Sequence, residues 1–315
     1  MKNTQYFAGI IQELNGVLEE KYRKIHAWSQ EEFLDYIQTY AGPLGRMKKL
    51  TPQELKEYGV VVGLDGSVNR LGGAYPHYVE LYRGLAMSTQ GHSSSVEEIY
   101  TPLLEEKMDQ EEDQDQKDQD DRKRRLAEIE MKTAIQYMKT QPVDYLMMDG
   151  GLIRYRMYSN LWEEFTQTAL ERDVVTFGVI KDIKTAILGQ GDQTQGLYDR
   201  EILFGQLKAG DVIYIDDKKN KKVPSGLTSA FLKSSKEIQV IGVDLLKEQE
   251  GQMEKVCNLV YTLTPEGGRG VPLWIDIVDH EVKITDQEME ALFESYMDRD
   301  LFHRLFVSER DLRRL

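Results

Sequence analysis

Two aspartates stand where apolar runs stop. In VVVGLDGSVNR (60–70) the run ends on Asp65, followed by glycine and serine. In VDYLMMDGGLIRYR (143–156) the same break falls at Asp149, followed by Gly150 and Gly151. A carboxylate at the end of a buried strand has a rigid base and a wet tip. That suits a hard divalent cation, which seeks oxygen ligands in a fixed arrangement. Two such strands side by side would bring the acids together, and carboxylates held that close need a cation or a shared proton. The glycines permit a sharp turn and leave room for a ligand to approach the backbone. Either Asp-Gly alone reads as an ordinary turn; the pair is what points to a site. A third ligand is sought on the segment between them. There Glu128 and Glu130, in RRLAEIEMKTAI (124–135), lie two apart, so only one of them can face a shared site.

The elements that must position these acids can be read from periodicity. Residues 4–28 carry Phe7, Ile10, Ile11, Leu14 and Leu18 at helical spacing. Ser29 and Thr51 are N-cap residues for two further helices, the second with Pro52 at its first position. The pattern then turns to strands at 60–64 and 78–87, separated by a Gly-Gly turn. Leu126, Ile129, Thr133 and Tyr137 mark an amphipathic helix. Beyond the strand ending at Asp149, a helix is expected at 160–173, a strand at 174–182, a helix at 200–211 and a strand at 212–217. KVCNLVYTLTP (255–265) and VPLWIDIVD (271–279) read as two strands joined by EGGRG, and the C-terminal stretch as helix. Early strand pairing followed by strand–helix alternation predicts one α/β domain spanning 1–315, a mixed sheet flanked by helices, with 1–55 as a helical N-terminal extension.

Composition narrows the function. The chain has 315 residues, 40% hydrophobic and 30% charged, with a formal net charge of −14. That balance fits a globular core and argues against nonspecific coating of nucleic acid. Eight of the net negative charges fall in 105–121, EEKMDQEEDQDQKDQDD, read as an exposed acidic insertion, a loop or a frayed helix. RKRR (122–125) and KKNKK (218–222) are local basic runs. The single cysteine, Cys257, excludes an internal disulfide and is read as packing. Apolar runs are too short for a membrane span, and acids occupy the place of a signal peptide's apolar core, so a cytoplasmic protein is expected.

Taken in order, VVVGLDGSVNR, RRLAEIEMKTAI, VDYLMMDGGL and VVTFGVIKD resemble the NurA family of DNA-end-processing nucleases. LVYTLTPEGGRGVPLWIDIVD looks like that family's late strand pair, and DLFHRLFVSERDLRRL like its C-terminal helix. The resemblance covers roughly residues 55–315, and its specificity lies in order and spacing rather than in any one piece. It implies an RNase H-like fold and two Mn²⁺ or Mg²⁺ ions on Asp65, Glu130 and Asp149, with Glu128 as the alternative to Glu130. It gives Lys181, in GVIKD, a phosphate contact. Many members carry a histidine in the final helix, within a pattern like Tyr-Pro, Leu and Ala-His. Here Ser308-Glu309 stands where Ala-His is expected, with Glu309 or His303 as candidate replacements.

The resemblance further implies two-metal hydrolysis of DNA, of the 5′–3′ exonuclease and single-strand endonuclease type, in end resection, repair or anti-phage defence. It implies a homodimer fed by HerA, a hexameric ATPase that translocates DNA. The chain has no Gly-x-x-x-x-Gly-Lys-Ser/Thr loop of its own. Two other classes share some of these features. An actin-like phosphotransferase or ATPase would use an early Asp-Gly-Ser turn, but GGLIRYR and EGGRG are poor versions of its later glycine-rich segments. A non-catalytic HerA-binding adaptor would account for the altered C-terminal helix.

Overall fold

A computed structural model describes residues 2–105 and 114–307. The chain opens with α1 (Lys2–His26), α2 (Gln30–Tyr40), a short strand β1 (Leu44–Arg46) and α3 (Pro52–Glu57). Ser29 and Thr51 each cap the following helix in a reciprocal capping box with Glu32 and Glu54. β2 (Val61–Gly72), β3 (Tyr78–Ser88) and β4 (Ser93–Tyr100) form an antiparallel meander. α4 (Gln114–Thr140) then crosses over to β5 (Tyr145–Asp149), parallel to β2. α5 (Leu152–Tyr158) and α6 (Trp162–Glu171) lead to β6 (Val175–Ile180), parallel to β5. A short helix α7 (Asp199–Leu203) precedes β7 (Asp211–Tyr214), β8 (Leu227–Leu232) and β9 (Ile241–Leu246). α8 (Met253–Leu263), α9 (Leu273–Val282), α10 (Asp286–Tyr296) and α11 (Arg299–Phe306) complete the described chain.

One nine-stranded sheet runs β1-β7-β8-β9-β6-β5-β2-β3-β4. An antiparallel meander extended on its β2 side by two parallel crossover strands is the RNase H-like arrangement. Alternation along β2 sends Val60, Val62 and Leu64 to one face and Val61 to the other. On the first face α4, α5 and α6 bury Met131, Ala134, Tyr137, Leu152 and Phe165. On the second, α8 and α9 bury Val256, Cys257, Leu259, Val260 and Ile275 against Met147, Phe177 and Val243. Cys257 is a packing residue, and burial pushes its thiol pKa well above the ordinary value.

Several expectations are corrected. Residues 253–263 and 271–282 are helices, not strands. Their β-branched content suggested strands. The buried residues Val256, Cys257, Leu259 and Val260, and Ile275, Val278 and Val282, instead recur at helical intervals and cover one face of the sheet. The helix expected at 200–211 is only five residues long, followed by Gly205 at φ 73°. The N-terminal extension is not purely helical, because β1 pairs with β7 at the sheet edge. The acidic run is not all insertion: its second half opens α4, where Asp118 bonds Arg70 and Tyr78. Residues 106–113 lie outside the described chain. The RKRR run is committed internally, with Arg122 on Glu80, Arg124 on Asp121 and Glu128, and Arg125 on Glu105.

Candidate metal centre

The register of β2 on β5 sets Leu64 opposite Met148, so the next residues on the two strands are Asp65 and Asp149. By alternation both aspartates fall on the α8–α9 face, with Val61 and Met147, opposite to Leu64 and Met148. α9 is drawn close to this strand end because Gly63 has no side chain. A Cβ there would lie 2.9 Å from the Trp274 ring and 3.0 Å from Val278. The next residue along α9 is Asp279. Past the helix, the Ile284 amide donates to the Ser67 hydroxyl, and Asn69 donates to the Ile284 carbonyl, tying the segment down on β2.

The outcome is one carboxylate oxygen each from Asp65, Asp149 and Asp279 within 4.8 Å of one another. Asp65 is 8% exposed. Burial first, then the neighbouring charges of Asp149 and Glu130, push its pKa up to about 8. Burial also raises Asp149, against the opposing pull of Lys181, whose ammonium is bonded to it. Partial burial works against the charge of Asp279, but Lys283 and Lys181 hold its carboxyl below the ordinary range. An all-oxygen donor set with one proton-bearing acid is the chemistry a hard divalent cation would replace.

Glu130 approaches from the opposite face, on α4. A Cβ at Gly66 would lie 2.6 Å from its carboxylate oxygen. It is fully buried and ion-paired with Arg154, which also donates to the Tyr155 hydroxyl at 2.8 Å. Its Oε1 has no hydrogen-bond partner, which is unusual for a buried carboxylate. Burial raises its pKa, with Arg154 opposing. Glu128 is turned elsewhere on the helix and pairs with Arg124 at 3.5 Å. Asp65, Asp149, Lys181 and Glu130, all expected from the sequence, thus lie in one neighbourhood, together with Asp279, which was not expected.

His303 is exposed on α11 with its ring against Phe302, and Glu309 lies outside the described residues. Among the described residues, the late helix that delivers a side chain to the carboxylates is α9. Its sequence, Val271-Pro272 followed by Leu273 and later Val278-Asp279, held the missed signal. It was concealed by reading the segment as a strand.

Fold and site together define a class: an RNase H-like sheet whose adjacent strand ends, with one helix, assemble carboxylates for a divalent cation. The profile of the NurA family, described as NurA domain, matches residues 59–284, and the chain belongs to that family of nucleases. Among solved structures, it is similar to the NurA nuclease from Sulfolobus solfataricus, at 12% identity and a TM-score of 0.62, over 96% of this chain and 98% of that one. A NurA structure bound to dAMP and manganese matches at 11% identity and a TM-score of 0.53, over 94% and 99% of the two chains. No curated protein sequence matches the chain.

Proposed function

We propose that the chain is a divalent-metal-dependent deoxyribonuclease that hydrolyses phosphodiester bonds at DNA ends. The observation that carries this is the convergence of Asp65, Asp149 and Asp279 within 4.8 Å in a chain of the NurA family. The likeness to a NurA structure holding dAMP and manganese supports both DNA and Mn²⁺, with Mg²⁺ as the alternative.

Asp65, Asp149 and Asp279 would hold the metal, and Glu130 would join them on release from Arg154. When bound, one or two such cations would supply a water of lowered pKa and offset charge at phosphorus; we infer two per site. The protein's own groups do the rest. Asp65 gives up its proton when its carboxylate is recruited. Lys181, exchanging Asp149 for substrate, contacts a phosphate oxygen and helps to neutralise it. Backbone-dominated DNA binding gives weak sequence preference and steep salt dependence. Asp279, which lies with Asp65 and Asp149, would take the role for which Glu309 and His303 were candidates.

The finer reading is a 5′–3′ exonuclease and single-strand endonuclease that works in the cytoplasm, as a homodimer fed by a HerA-type hexameric translocase. Its setting is end resection, repair or anti-phage defence. No helix among the described residues is long and apolar enough to cross a membrane. The test is digestion of end-labelled linear DNA with Mn²⁺, with Mg²⁺ and with EDTA, alongside Asp149→Ala. Metal-dependent degradation that a folded Asp149→Ala lacks is expected. A wild type inactive with either metal, and still inactive after HerA and ATP are added, would sink the reading.

A further inference from the structure

We propose that Arg154 is an exchange residue: it neutralises Glu130 before a metal binds, and passes to a DNA phosphate once Glu130 turns to the metal. This rests on the nuclease reading above and adds the group that ties metal binding to DNA binding. The segment that supplies it is GGLIRYR, directly after Asp149. Its two arginines part ways. Arg156 donates to the Ser225 carbonyl, while Arg154 reaches Glu130. Among the described residues Glu130 has no other cationic partner.

The pair is made in a way that leaves both partners short of bonds. An arginine and a carboxylate often meet fork to fork, through two parallel hydrogen bonds. Here Nη2 alone donates to Oε2, and the same Nη2 also donates to the Tyr155 hydroxyl at 2.8 Å. Glu130 Oε1 and Arg154 Nε are both buried with no hydrogen-bond partner among the described residues. Buried polar groups left unpaired are costly, so each side chain gains from a second partner. For Glu130 that partner is a cation: the unpaired Oε1 lies against Gly66, the residue after Asp65. For Arg154 it is an anion, and the way to it is open. Its side chain is 34% exposed, against 1% for Glu130. It borders a cavity of about 420 Å³ lined also by Asp149, Lys181 and Lys184. A guanidinium there presents a planar fork that matches phosphate. Lys181 and Arg154 differ in what they release. Lys181 frees Asp149, which already stands with Asp65 and Asp279; Arg154 frees Glu130, which stands outside that group. Glu130 therefore joins the ligand set only when Arg154 has another anion. DNA and metal then favour each other's binding, by the same factor in both directions.

Fluorescence anisotropy of a labelled single-stranded oligonucleotide tests this, in EDTA and in Ca²⁺, a hard oxygen-seeking cation, read before gels detect any cleavage. The wild type is expected to bind more tightly with Ca²⁺. Arg154→Met is expected to lose ~10-fold or more with Ca²⁺, the share of one charge-assisted hydrogen bond, and clearly less in EDTA, where the wild-type arginine is still on Glu130. Glu130→Gln, which weakens the hold on the arginine without metal, is expected to bind DNA more tightly than the wild type in EDTA. Arg154→Met should then cost more in the Glu130→Gln chain than in the wild type; equal costs would mean a fixed surface charge, not an exchange. Thermal melting checks that each variant is folded, and where Arg154→Met is not, the Glu130→Gln gain decides. A wild type that binds no more tightly with Ca²⁺, an Arg154→Met loss as large in EDTA as with Ca²⁺, or a folded Glu130→Gln with no gain in EDTA would overturn the proposal. A wild type that degrades DNA with metal but fails these tests keeps the nuclease reading and loses the exchange. One that passes them but never cuts does the reverse.

Discussion

Asp65, pushed up to about 8 by burial and by the charges of Asp149 and Glu130, holds a proton at neutral pH in the metal-free protein. The same side chain in the unfolded chain titrates near 3.9 (roughly). Between those values the folded state binds the extra proton, so stability falls as pH rises through that window. Asp149 and Glu130, both raised chiefly by burial, push in the same direction. The melting temperature in EDTA should therefore drop between about pH 5 and pH 8, and Asp65→Asn should flatten the drop. Metal competes with that proton. Apparent Mn²⁺ affinity should climb by up to ~10-fold per pH unit below 8, and calorimetry in buffers of different ionisation enthalpy should count about one proton released. A flat affinity profile from pH 6 to 8 would contradict it. Asp279→Ala should weaken Mn²⁺ binding by at least the ~10–100-fold that losing an outer partner costs. An unchanged Kd would remove Asp279 from the ligand set.

At the scale of elements, small residues decide which side chains meet. Gly66 sits where a methyl would come within 2.6 Å of the Glu130 side chain. Gly66→Ala should displace that carboxylate and lower DNA cleavage at fixed metal, while costing ~1–3 kcal/mol of overpacking in a denaturant melt. Restoration of activity by Glu130→Asp in the same chain would localise the effect to that contact. The acids at 65 and 149 were legible in the sequence because a polar residue ending an apolar strand stands out against its neighbours. Glu130 was legible only to one of two positions, since a helix two residues apart offers both. Asp279 was not legible, because 271–279 is rich in β-branched residues and its helical spacing, Ile275 to Val278 to Val282, matters only once a sheet face is there to cover. β8 and β9 escaped for the opposite reason. They are buried on both faces, every residue of each, so they carry no alternation to read.

At the scale of the molecule, α1 carries an uncovered apolar stripe among the described residues. Tyr6, Phe7, Ile10, Ile11, Leu14, Val17 and Leu18 are all exposed, from 41% to 72%. Phe7, Ile10, Leu14 and Val17 follow the three–four alternation of a two-stranded seam, with Ile11 and Leu18 widening it. The spacing made this helix easy to foresee, and it concealed that the apolar stripe would find no partner among the described residues. Such a stripe is unfavourable in water. Seven large apolar side chains over about 18 Å of helix offer area on the order of the ~800 Å² that each partner gives a standard interface. The homodimer proposed above would be closed by this stripe pairing with that of a second copy. Light scattering should give twice the 36.4 kDa chain mass for the wild type. Ile10→Glu with Leu14→Glu should give the single mass, with the melting temperature little changed because neither side chain is buried in the monomer. Each monomer keeps its full set of carboxylates, so Mn²⁺ affinity should survive the double substitution. A loss of degradation without a loss of metal binding would then assign to the dimer the guiding of DNA rather than the assembly of the site. A wild type that stays monomeric at every concentration would remove the seam and the homodimer together.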